Sequence, residues 1–507
     1  MTNSVIKWSK DDVLALKSWH DNWRGLKVAV LGLGVTGFSV ADTLAELGAK
    51  VLVIAGSKDD NSERLLEVIG AKFVQKDSDE EQLYELKTFN PDLVIVSPGY
   101  RPKHPLTEWA IGQDIPVWGD IELGWRLRDK TSKVAHWVCV TGTNGKTTTS
   151  QLTAHMLLAG GLRAAPVGNI GVPILDALRD PQGFDVLVVE LSSFQLARLG
   201  EISPYASVCI NIADDHLDWH GGRDEYIKAK AKIYNNTQVA CVYNRQDPIT
   251  EQMVVDADVV EGARAVSFGL DTPPVSGFGL VEGLLIDRGF HEERTKSALE
   301  LYSMSELKKQ NMGSPHLVQD ILAAAALARS LGVSPEEITS AIKQFKPDDH
   351  RMQLVLHDNE IQWIDDSKAT NAHAAEASLK SYSNIVWVAG GLFKGQNIDD
   401  LIKKYQNKFR AVIVIGKDRD ELLQALSRHA KNVPVFEIDE EHTETVMKSV
   451  VKKAKAIAQK GDAVLLSPAA SSLDQFDSYE DRGRRFAEAV KNSKGDDGVG
   501  GRQNTAT

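Results

Sequence analysis

The segment from His136 to Ala159 joins three patterns that together leave little freedom for the fold around it. The apolar run His136-Trp-Val-Cys-Val predicts a buried strand, TGTNGKTTT (141–149) follows it, and a helical pattern begins at Thr147. A strand, a glycine-rich turn and a helix N-terminus form a phosphate cradle, because backbone N–H groups and the helix dipole point at the anion. Lys146 would reach the terminal phosphates, and Thr147 would supply a hydroxyl for a phosphate-bound Mg²⁺. We therefore expect the chain to bind a nucleoside triphosphate.

The glycines support this interpretation, although the loop departs from the usual pattern at its first position. Val140 stands where most phosphate loops carry glycine, while Gly142 and Gly145 are present. We interpret the stretch as a variant phosphate loop, since the motif is meaningful only between a strand and a helix and both are predicted here. The alternative is a flexible turn that happens to contain Gly-Lys-Thr.

Bulk composition narrows the classes of function. The 507 residues allow two to four domains, and the net charge of −12 comes without a dense basic block, which argues against nucleic acid as a partner. The scattered residues Cys139, Cys209 and Cys241 fit a reducing compartment without disulfides. No apolar stretch is long enough to span a bilayer, and the N-terminus has no signal core, so we expect a cytoplasmic protein without a membrane partner.

Three segments of the chain alternate apolar strands with helical patterns. This alternation predicts an α/β fold of mostly parallel sheets in three domains, which we set at residues 1–130, 131–348 and 349–490. Within the second segment we expect loops and short strands over 271–314. Residues 491–507 are polar, glycine-rich and aperiodic, and we expect them to form a disordered tail.

A second glycine motif, Gly32-Leu-Gly-Val-Thr-Gly37, follows the first predicted strand. It fits the dinucleotide fingerprint, but that fingerprint needs an acidic residue at the end of the second strand, and Ile54-Ala-Gly-Ser-Lys stands there. We therefore favour the diphosphate of another nucleotide-linked group over a nicotinamide cofactor. Ser97-Pro-Gly99 ends a later strand and is expected to line the same crevice, as strand ends do in open parallel sheets.

Two polar residues that follow apolar strands of the central segment are candidate metal ligands. Glu190 ends the run Val-Leu-Val-Val, where a carboxylate can hold a Mg²⁺ that also binds phosphate; the alternative is a helix-capping or exposed glutamate. His216 follows the strand SVCIN and is either a metal ligand or structural. Lys230 lies between Lys228 and Lys232 in a helix of mixed faces, and this pattern by itself favours an exposed basic face.

Polar residues also follow two predicted strands of the third segment. Asp365-Asp-Ser-Lys-Ala-Thr-Asn371 ends one strand, and Lys368 there suits a phosphate or a carboxylate. Ser467-Pro-Ala-Ala-Ser-Ser-Leu-Asp-Gln-Phe-Asp477 ends another, where the serines either donate to a substrate carboxylate or cap a helix. The residue types alone leave both alternatives open.

Seven motifs in order give the chain a resemblance to the Mur ligase family over about residues 27–490. They are TGTNGKTTT, VVELSSFQL, NIADDHLD, YIKAKAKIY, HR, DDSKATN and SPAASSLDQF. Each motif alone is modest, but seven in register are specific. SSFQL, DSKATN and SLDQF resemble the member that adds D-glutamate, and the DNPR segment of the member that adds diaminopimelate or lysine is absent.

The resemblance implies an N-terminal Rossmann-like domain for a UDP-sugar, a central P-loop ATPase-like α/β domain, and a C-terminal Rossmann-like α/β domain for the incoming amino acid. It implies that ATP phosphorylates the alanyl carboxylate of UDP-N-acetylmuramoyl-L-alanine. The amine of D-glutamate then attacks the acyl phosphate, and phosphate leaves through a tetrahedral intermediate. It also implies a monomer whose domains close around the substrates.

The resemblance further assigns roles to individual residues. Its catalytic set consists of Lys146, His216 and Lys230. Two Mg²⁺ ions would be bound by Thr147 with Glu190 and by His216 with Lys230. The lysine that matches Lys230 is carbamylated in the family, which replaces a cation by an anionic oxygen ligand and requires a neutral amine.

Substrate contacts are assigned in the same way. The residues implied to bind ATP are Gly142, Thr143, Asn144, Gly145, Lys146, Thr147, Thr148, Arg351 and Asp366. Those implied to contact the UDP-sugar substrate are Val35, Thr36 and Asn169. Those implied to bind D-glutamate are Lys368, Thr370, Lys394, Ser472 and Tyr479, a set whose cations and hydroxyls suit a dicarboxylate.

The chain departs from the family pattern after His316, where two asparagines usually lie near adenine and Leu317 and Asp320 stand here. Tyr479 replaces a phenylalanine. The expected activity is thus the D-glutamate-adding ligase. The alternatives are another amino-acid ligase of the superfamily, an enzyme that extends folate with glutamate, and a non-enzymatic nucleotide-binding module.

Overall fold

The computed structural model describes residues 8–56, 60–310, 312–346, 349–394, 396–440 and 442–493. Their contacts divide the chain into two compact units. The first unit contains the described residues of Met1–Ile212, Trp219–Gly313 and Leu317–Phe345. The second contains those of Ala213–Asp218, Ser314–His316 and Lys346–Thr507.

The first sheet of the first unit has five parallel strands in the order β3-β2-β1-β4-β5. Its strands are β1 (Lys27–Leu31), β2 (Lys50–Ala55), β3 (Lys72–Gln75), β4 (Leu93–Val96) and β5 (Val117–Trp118). The helices of this part are α1 (Lys10–Ala15), α2 (Val35–Glu46), α3 (Asp60–Val68), α4 (Asp79–Phe89), α5 (Pro105–Gly112) and α6 (Asp120–Arg126). From β1 the chain first adds β2 and β3 on one side and then β4 and β5 on the other. The crevice between β1 and β4 is therefore the switch point where ligands bind in open parallel sheets.

The second sheet of the same unit has nine strands in the order β14-β13-β12-β11-β10-β9-β6-β8-β7. Its strands are β6 (His136–Thr141), β7 (Ala164–Gly168), β8 (Val186–Glu190), β9 (Ala206–Cys209), β10 (Ala240–Asn244), β11 (Arg264–Phe268), β12 (Gly277–Val281), β13 (Leu284–Asp287) and β14 (Leu299–Ser303). Its helices are α7 (Lys146–Ala159), α8 (Ile174–Leu178), α9 (Ser193–Ala197), α10 (Leu217–His220), α11 (Arg223–Ala231), α12 (Pro248–Val255), α13 (Met304–Lys309), α14 (Pro315–Ser330) and α15 (Pro335–Gln344).

The strands from β6 to β12 are parallel, and their apolar runs are buried because helices cover parallel sheets. The segment 271–314, where loops and short strands were expected, supplies β12, β13 and β14, and β13 and β14 extend the sheet as an antiparallel meander. The same segment also contains the short helix α13. These strands are hard to recognise in the sequence, because each one buries only part of its length and the region is polar.

The second unit holds a six-stranded sheet in the order β15-β16-β20-β17-β18-β19. Its strands are β15 (Gln353–Asp358), β16 (Ile361–Asp365), β17 (Ile385–Ala389), β18 (Phe409–Val414), β19 (Val435–Glu437) and β20 (Ala463–Leu466). Its helices are α16 (Ala372–Ser381), α17 (Asp399–Tyr405), α18 (Asp420–His429), α19 (Thr443–Ile457) and α20 (Tyr479–Asn492). Only β15 is antiparallel to its neighbour in this sheet as described.

Both faces of the third sheet are buried. Val386 and Val388 of β17 belong to one apolar cluster, and Ile385 and Trp387 belong to another. Because successive strand residues point to opposite faces, one cluster lies on each side of the sheet. The chain thus builds three helix-covered sheets, and the predicted α/β fold class is confirmed.

The predicted domain boundaries near residues 130 and 348 stay predictions, since the first two sheets belong to one compact unit. At the C-terminus, α20 continues to Asn492, so the start of the predicted tail 491–507 is helical. Residues 494–507 of that tail lie outside the described residues. Within the described ranges, no helix has both the length and the apolar character needed to cross a bilayer.

Candidate active site

The predicted phosphate loop lies in the first unit at the carboxyl end of β6, between β8 and β9. The strand ends at Thr141 and α7 begins at Lys146, so four residues form the loop. Gly145 is the N-cap of α7, and its φ of 83° is one that side chains rarely adopt. A Cβ at Gly145 would also collide with the carboxylate of Asp320. The glycine is therefore required both by its backbone conformation and by its close neighbour.

Asn211, which sequence reasoning missed, holds this loop from the neighbouring strand end. Its carbonyl accepts a hydrogen bond from Thr143 N at 2.9 Å, and its Oδ1 accepts one from Asn144 N at 2.9 Å. Its Nδ2 donates back to Asn144 O at 3.2 Å. The signal was its position as the first polar residue after the apolar run of β9. These three bonds fix the loop before any anion is bound.

Two lysine side chains lie at the loop. Lys146 Nζ donates to Gly142 O at 3.1 Å and to Thr143 O at 2.9 Å. Lys230 Nζ donates to the same Gly142 O at 2.8 Å and to Thr141 Oγ1 at 3.2 Å. The ammonium of Lys146 and the N-terminus of a 14-residue helix place positive charge at this loop, which suits a polyphosphate.

The burial of Lys230 corrects the interpretation of its helix as an exposed basic face. Lys230 is 2% exposed, whereas Lys228 points outward and pairs with Glu225 at 2.8 Å. One turn before Lys230, Tyr226 places its ring 5.1 Å from Nζ and its hydroxyl 2.7 Å from Thr143 Oγ1. The exposed-face interpretation is therefore wrong for Lys230, because this residue lies on the side of α11 that packs against the phosphate loop.

Glu190 ends β8 opposite Val140 and is 1% exposed. The alternative of an exposed glutamate is wrong, and so is the capping alternative, since Ser192 caps α9 in a capping box. Glu190 Oε1 accepts a hydrogen bond from Asn169 Nδ2 at 2.8 Å, and Asn169 N donates to Glu190 O at 2.9 Å. Among the described residues, Oε2 of Glu190 is buried and has no hydrogen-bond partner.

An unpartnered buried carboxylate oxygen is costly unless a cation meets it. Within the described ranges, no group of three or more His, Cys, Asp or Glu side chains forms a metal site of protein ligands alone. Mg²⁺ in nucleotide sites usually takes one or two protein ligands, with phosphate and water oxygens completing its shell. Glu190 Oε2 and the hydroxyl of Thr147, at the start of α7, therefore fit a magnesium ion that arrives with a phosphate.

The glycine motif of the first sheet and Ser97 meet in the crevice between β1 and β4. Gly32 has φ 99°, and a Cβ there would lie 2.7 Å from Ser97 Oγ. The expectation that Ser97 lines the same crevice is therefore confirmed, and its hydroxyl is buried without a partner among the described residues. Val35, the first residue of α2, is 75% exposed, and Thr36 follows it half-buried. The N-terminus of α2 is open to an anionic group here.

The crevice of the first sheet and the phosphate loop are held within one unit by polar contacts. Ser39 Oγ donates to Asp176 at 2.6 Å. Gln195 of the capping box on α9 donates to buried Asp120 at 3.2 Å, and burial raises the pKa of Asp120 to about 6. Arg198 donates to Tyr100 O at 3.0 Å. The two candidate nucleotide sites therefore share a common framework.

In the second unit, the residues predicted to bind the amino acid follow three adjacent parallel strands. Lys368 and Thr370 follow β16, Ser472 follows β20 and Lys394 follows β17. Because β16, β20 and β17 are neighbours, these loops share one edge of the sheet. Lys368 Nζ lies 5.1 Å from the centre of the Tyr479 ring at the start of α20. The structure thus brings the predicted set to one sheet edge, and Lys368 and Tyr479 into contact.

Arg482, another residue that the sequence analysis missed, connects two of these loops. Its Nε donates to Ser367 Oγ at 2.9 Å, and its two terminal nitrogens donate to Ser367 O at 2.8 Å and Ala470 O at 3.2 Å. Burial lowers the pKa of this guanidinium to about 10. The sequence pattern that could have identified Arg482 is its helical spacing with Phe486 and Ala489, since all three are buried on α20.

Arg351 and Asp366, the predicted ATP contacts of the third segment, both belong to the second unit. Arg351 lies between His350 and Met352, whose φ values of 66° and 44° are left-handed. Its Nε is buried without a partner among the described residues. His350 Nδ1 lies 2.6 Å from Asp365 Oδ2, and this hydrogen bond raises the pKa of His350.

Asp366 is buried at the end of β16. Its Oδ1 accepts a hydrogen bond from Met352 N at 3.1 Å, and its Oδ2 accepts from Ser467 Oγ at 3.0 Å and from Ser378 Oγ. Burial outweighs these hydrogen bonds and the charge of Arg351, and it raises the pKa of Asp366 to about 7. This carboxyl therefore titrates near neutral pH.

His216 belongs to the second unit, whereas Glu190 and Lys230 belong to the first. Its Nε2 lies 3.6 Å from Asp215 Oδ1. His316 is also in the second unit, and burial lowers its pKa to about 4. The metal role of His216 stays a prediction.

Leu317 and Asp320, which replace the two asparagines of the family pattern, are buried in the first unit. Asp320 packs against Gly145 of the phosphate loop. The carboxylate of Asp320 thus lies beside the N-cap of α7, where the helix dipole favours an anion.

Three protein families match successive parts of the chain. Residues 26–119 match the Mur ligase MurD-like N-terminal domain, residues 140–328 match the Mur ligase middle domain, and residues 350–470 match the Mur ligase glutamate ligase domain.

Curated relatives match over nearly the full length. UDP-N-acetylmuramoylalanine–D-glutamate ligase of Leifsonia xyli is 55% identical and covers 97% of this chain and 98% of its own. The enzyme of the same name from Streptomyces avermitilis is 46% identical, and the match covers 93% of this chain and 99% of the relative. The one from Tropheryma whipplei is 42% identical, and the match covers 94% of this chain and 98% of the relative.

Solved structures of lower identity share the fold. UDP-N-acetylmuramate-alanine ligase of Thermotoga maritima has a TM-score of 0.54 at 20% identity, covering 92% of this chain and 100% of its own. The MurF ligase of the same organism, solved in complex with ADP, has a TM-score of 0.53 at 18% identity, covering 94% and 96%.

Proposed function

This chain belongs to the Mur ligase family, and from that premise we propose that it joins D-glutamate to UDP-N-acetylmuramoyl-L-alanine at the expense of ATP. Relatives of 42–55% identity carry the name of that activity, and they are matched over at least 98% of their own lengths. The reaction supplies a precursor of peptidoglycan. Its nucleotide-linked substrates are cytoplasmic metabolites, so we place the enzyme in the cytoplasm and expect it to act as a monomer.

The observation that carries the proposal is the phosphate loop with its two lysines and the unpartnered oxygen of Glu190. A carboxylate is a poor electrophile, whereas an acyl phosphate has a good leaving group. Transfer of a phosphoryl group between two anions needs cations that hold both in line. Lys146 and the helix N-terminus would hold the triphosphate while the alanyl carboxylate attacks its terminal phosphorus, which forms the acyl phosphate and releases ADP.

Thr147 and Glu190 would hold the magnesium ion that accompanies ATP. That ion supplies positive charge to the phosphate oxygens during transfer. Asn169 supports this role, because its amide and its backbone N–H both bind Glu190 and so orient the carboxylate. We further propose that Lys230 is carbamylated and binds a second magnesium ion. The burial of Lys230 beside the phosphate loop supports it.

The remaining substrates have their own surfaces. The UDP group would lie in the crevice beside Gly32, with Val35 and Thr36 at the open end of α2. D-Glutamate would bind beside Lys368 and Tyr479 in the second unit. Its neutral amine attacks the acyl carbon, the amine loses a proton, and the tetrahedral intermediate collapses to the amide and inorganic phosphate.

The test is phosphate release by the purified protein with ATP, magnesium and UDP-N-acetylmuramoyl-L-alanine. D-Glutamate, L-alanine and diaminopimelate are offered in separate reactions, and UDP-N-acetylmuramate replaces the sugar substrate in a control. We expect release that depends on both D-glutamate and the alanylated sugar. Release with another amino acid would identify a different ligase of the superfamily, and no release with any of them would favour a nucleotide-binding module.

A further inference from the structure

Gln396 is a buried glutamine in the loop that follows β17, two residues after Lys394. It is 4% exposed, and its backbone N–H donates to Phe393 O at 3.1 Å. Its side-chain Oε1 accepts a hydrogen bond from Ala372 N at 3.1 Å. Ala372 is the first residue of α16, so the glutamine ties its own loop to the start of that helix.

The hydrogen bond from Ala372 N determines the orientation of the Gln396 side-chain amide, that is, the positions of its oxygen and its nitrogen. A backbone N–H can only donate, so the atom it meets must be the carbonyl oxygen, and the NH₂ group faces the other way. That Nε2 is buried and has no hydrogen-bond partner among the residues that the structure describes. Leaving a buried donor unpaired is costly, so a partner beyond the described residues is expected.

The surroundings of this amide suit an anion. Thr370 and Asn371 come directly before α16, and the Asn371 side chain caps the helix by accepting from Ala374 N at 2.8 Å. The ten-residue helix contributes a positive end, and Lys394 lies two positions from Gln396. The buried Nε2 is therefore a second, independent observation of a donor in the loop beside this helix N-terminus.

We propose that Gln396 Nε2 donates a hydrogen bond to a carboxylate of the incoming amino acid and helps to select a dicarboxylate. This inference rests on the proposed function, which makes D-glutamate the ligand of this sheet edge. A hydrogen bond to a carboxylate is stronger than one between neutral groups. A donor with its orientation already fixed loses little freedom when the ligand arrives.

The central variant is Gln396→Glu, which preserves the shape and the acceptor for Ala372 N but replaces the donor by an anion. We expect the KM for D-glutamate to rise at least about tenfold, with a smaller change in kcat, because the two carboxylates repel each other. The KM values for ATP and for the UDP-sugar should stay within about twofold. Gln396→Met, which only removes the donor and the acceptor, should raise the KM for D-glutamate less.

Analogues identify the carboxylate. D-glutamine and the α-amide of D-glutamate are measured as competitors of D-glutamate for the wild type and for Gln396→Glu. The analogue whose NH₂ group replaces the contacted carboxylate should lose less affinity in the variant than D-glutamate does, because it donates to the new carboxylate. If both analogues lose as much as D-glutamate, the proposed contact is wrong.

Gln475→Glu is the matched control. Gln475 is a buried glutamine of the same unit whose Oε1 accepts from Gly416 N at 3.0 Å and whose Nε2 donates to Glu440 O at 2.9 Å. Its variant should lower the melting temperature without a selective rise in the KM for D-glutamate. An unchanged KM in folded Gln396→Glu, or a parallel rise for all three substrates, would overturn the inference. Wild-type enzyme without D-glutamate-dependent turnover would overturn the proposed function, and the inference with it.

Discussion

Asp366 gives a prediction about pH whose sign and size follow from its burial. Folding raises the pKa of this carboxyl from an ordinary value of 3.8 to about 7. The protonated form is therefore favoured in the folded state. Protonation of Asp366 in the folded state therefore stabilises the protein. This stabilisation is fully present below pH 3.8 and is lost as the pH rises through about 7. Each tenfold change in proton affinity is worth about 1.4 kcal/mol, so the total is about 4 kcal/mol.

Asp366→Asn is the perturbation, because asparagine has nearly the same shape and stays neutral at every pH. It retains an oxygen that accepts from Met352 N. Between pH 5 and pH 8 the wild type should lose about 2.5 kcal/mol of unfolding free energy relative to the variant. The variant should thus become the more stable protein of the two as the solution is made alkaline.

The assay is urea unfolding of both proteins at several pH values, followed by circular dichroism and tryptophan fluorescence. Trp363 and Trp387 are buried in the same sheet and report on this unit. Asp418→Asn, which removes an exposed carboxylate of the same unit, is the control. A difference between wild type and Asp366→Asn that stays flat from pH 5 to pH 8, or one that grows in favour of the wild type, would refute the reasoning.

Three further variants test the first unit. Gly145→Ala places a Cβ against the Asp320 carboxylate at a residue whose backbone is left-handed. We expect the free energy of unfolding to fall by about 1–2 kcal/mol and calorimetry to detect no ATP binding. Near-normal ATP affinity would show that the loop tolerates a side chain. Glu190→Gln can preserve the contact with Asn169, so the fold should persist while turnover falls about 100-fold and more magnesium is needed; an unaltered magnesium titration would exclude Glu190 as a ligand. Lys230→Ala should abolish turnover, and added bicarbonate should not restore it, whereas ordinary activity would remove Lys230 from the mechanism.

The features that could be predicted from sequence are those whose chemistry is local. The phosphate loop is one, since its glycines, Lys146 and the start of α7 lie within a few residues of one another. The crevice formed by Gly32 and Ser97 is another, because strand ends in a parallel sheet share an edge. In both cases a short segment and one rule of sheet geometry were sufficient.

Residues whose role depends on a distant partner were harder to find. Lys230 looked like one of three exposed lysines, and only its packing against Thr141 and Gly142 separates it from Lys228. A weak signal existed, since Tyr226 and Lys230 are one helical turn apart on the buried side of α11. For Gln396 there was no such signal, because its partner Ala372 lies 24 positions away at the start of α16.

The side chain of Asn169 connects two predicted roles, because it contacts Glu190 and is also assigned to the substrate. The sequence resemblance assigns it to the UDP-sugar, while in the structure its Nδ2 donates to Glu190 Oε1. A carboxamide nitrogen carries two hydrogens, so the bond to Glu190 leaves a second donor. If that donor meets the substrate, one rigid amide would set the distance between the substrate and the metal-binding carboxylate. The same residue would then explain why Glu190 is oriented by a neutral amide and not by a lysine, since a cation there would compete with the magnesium ion for the carboxylate.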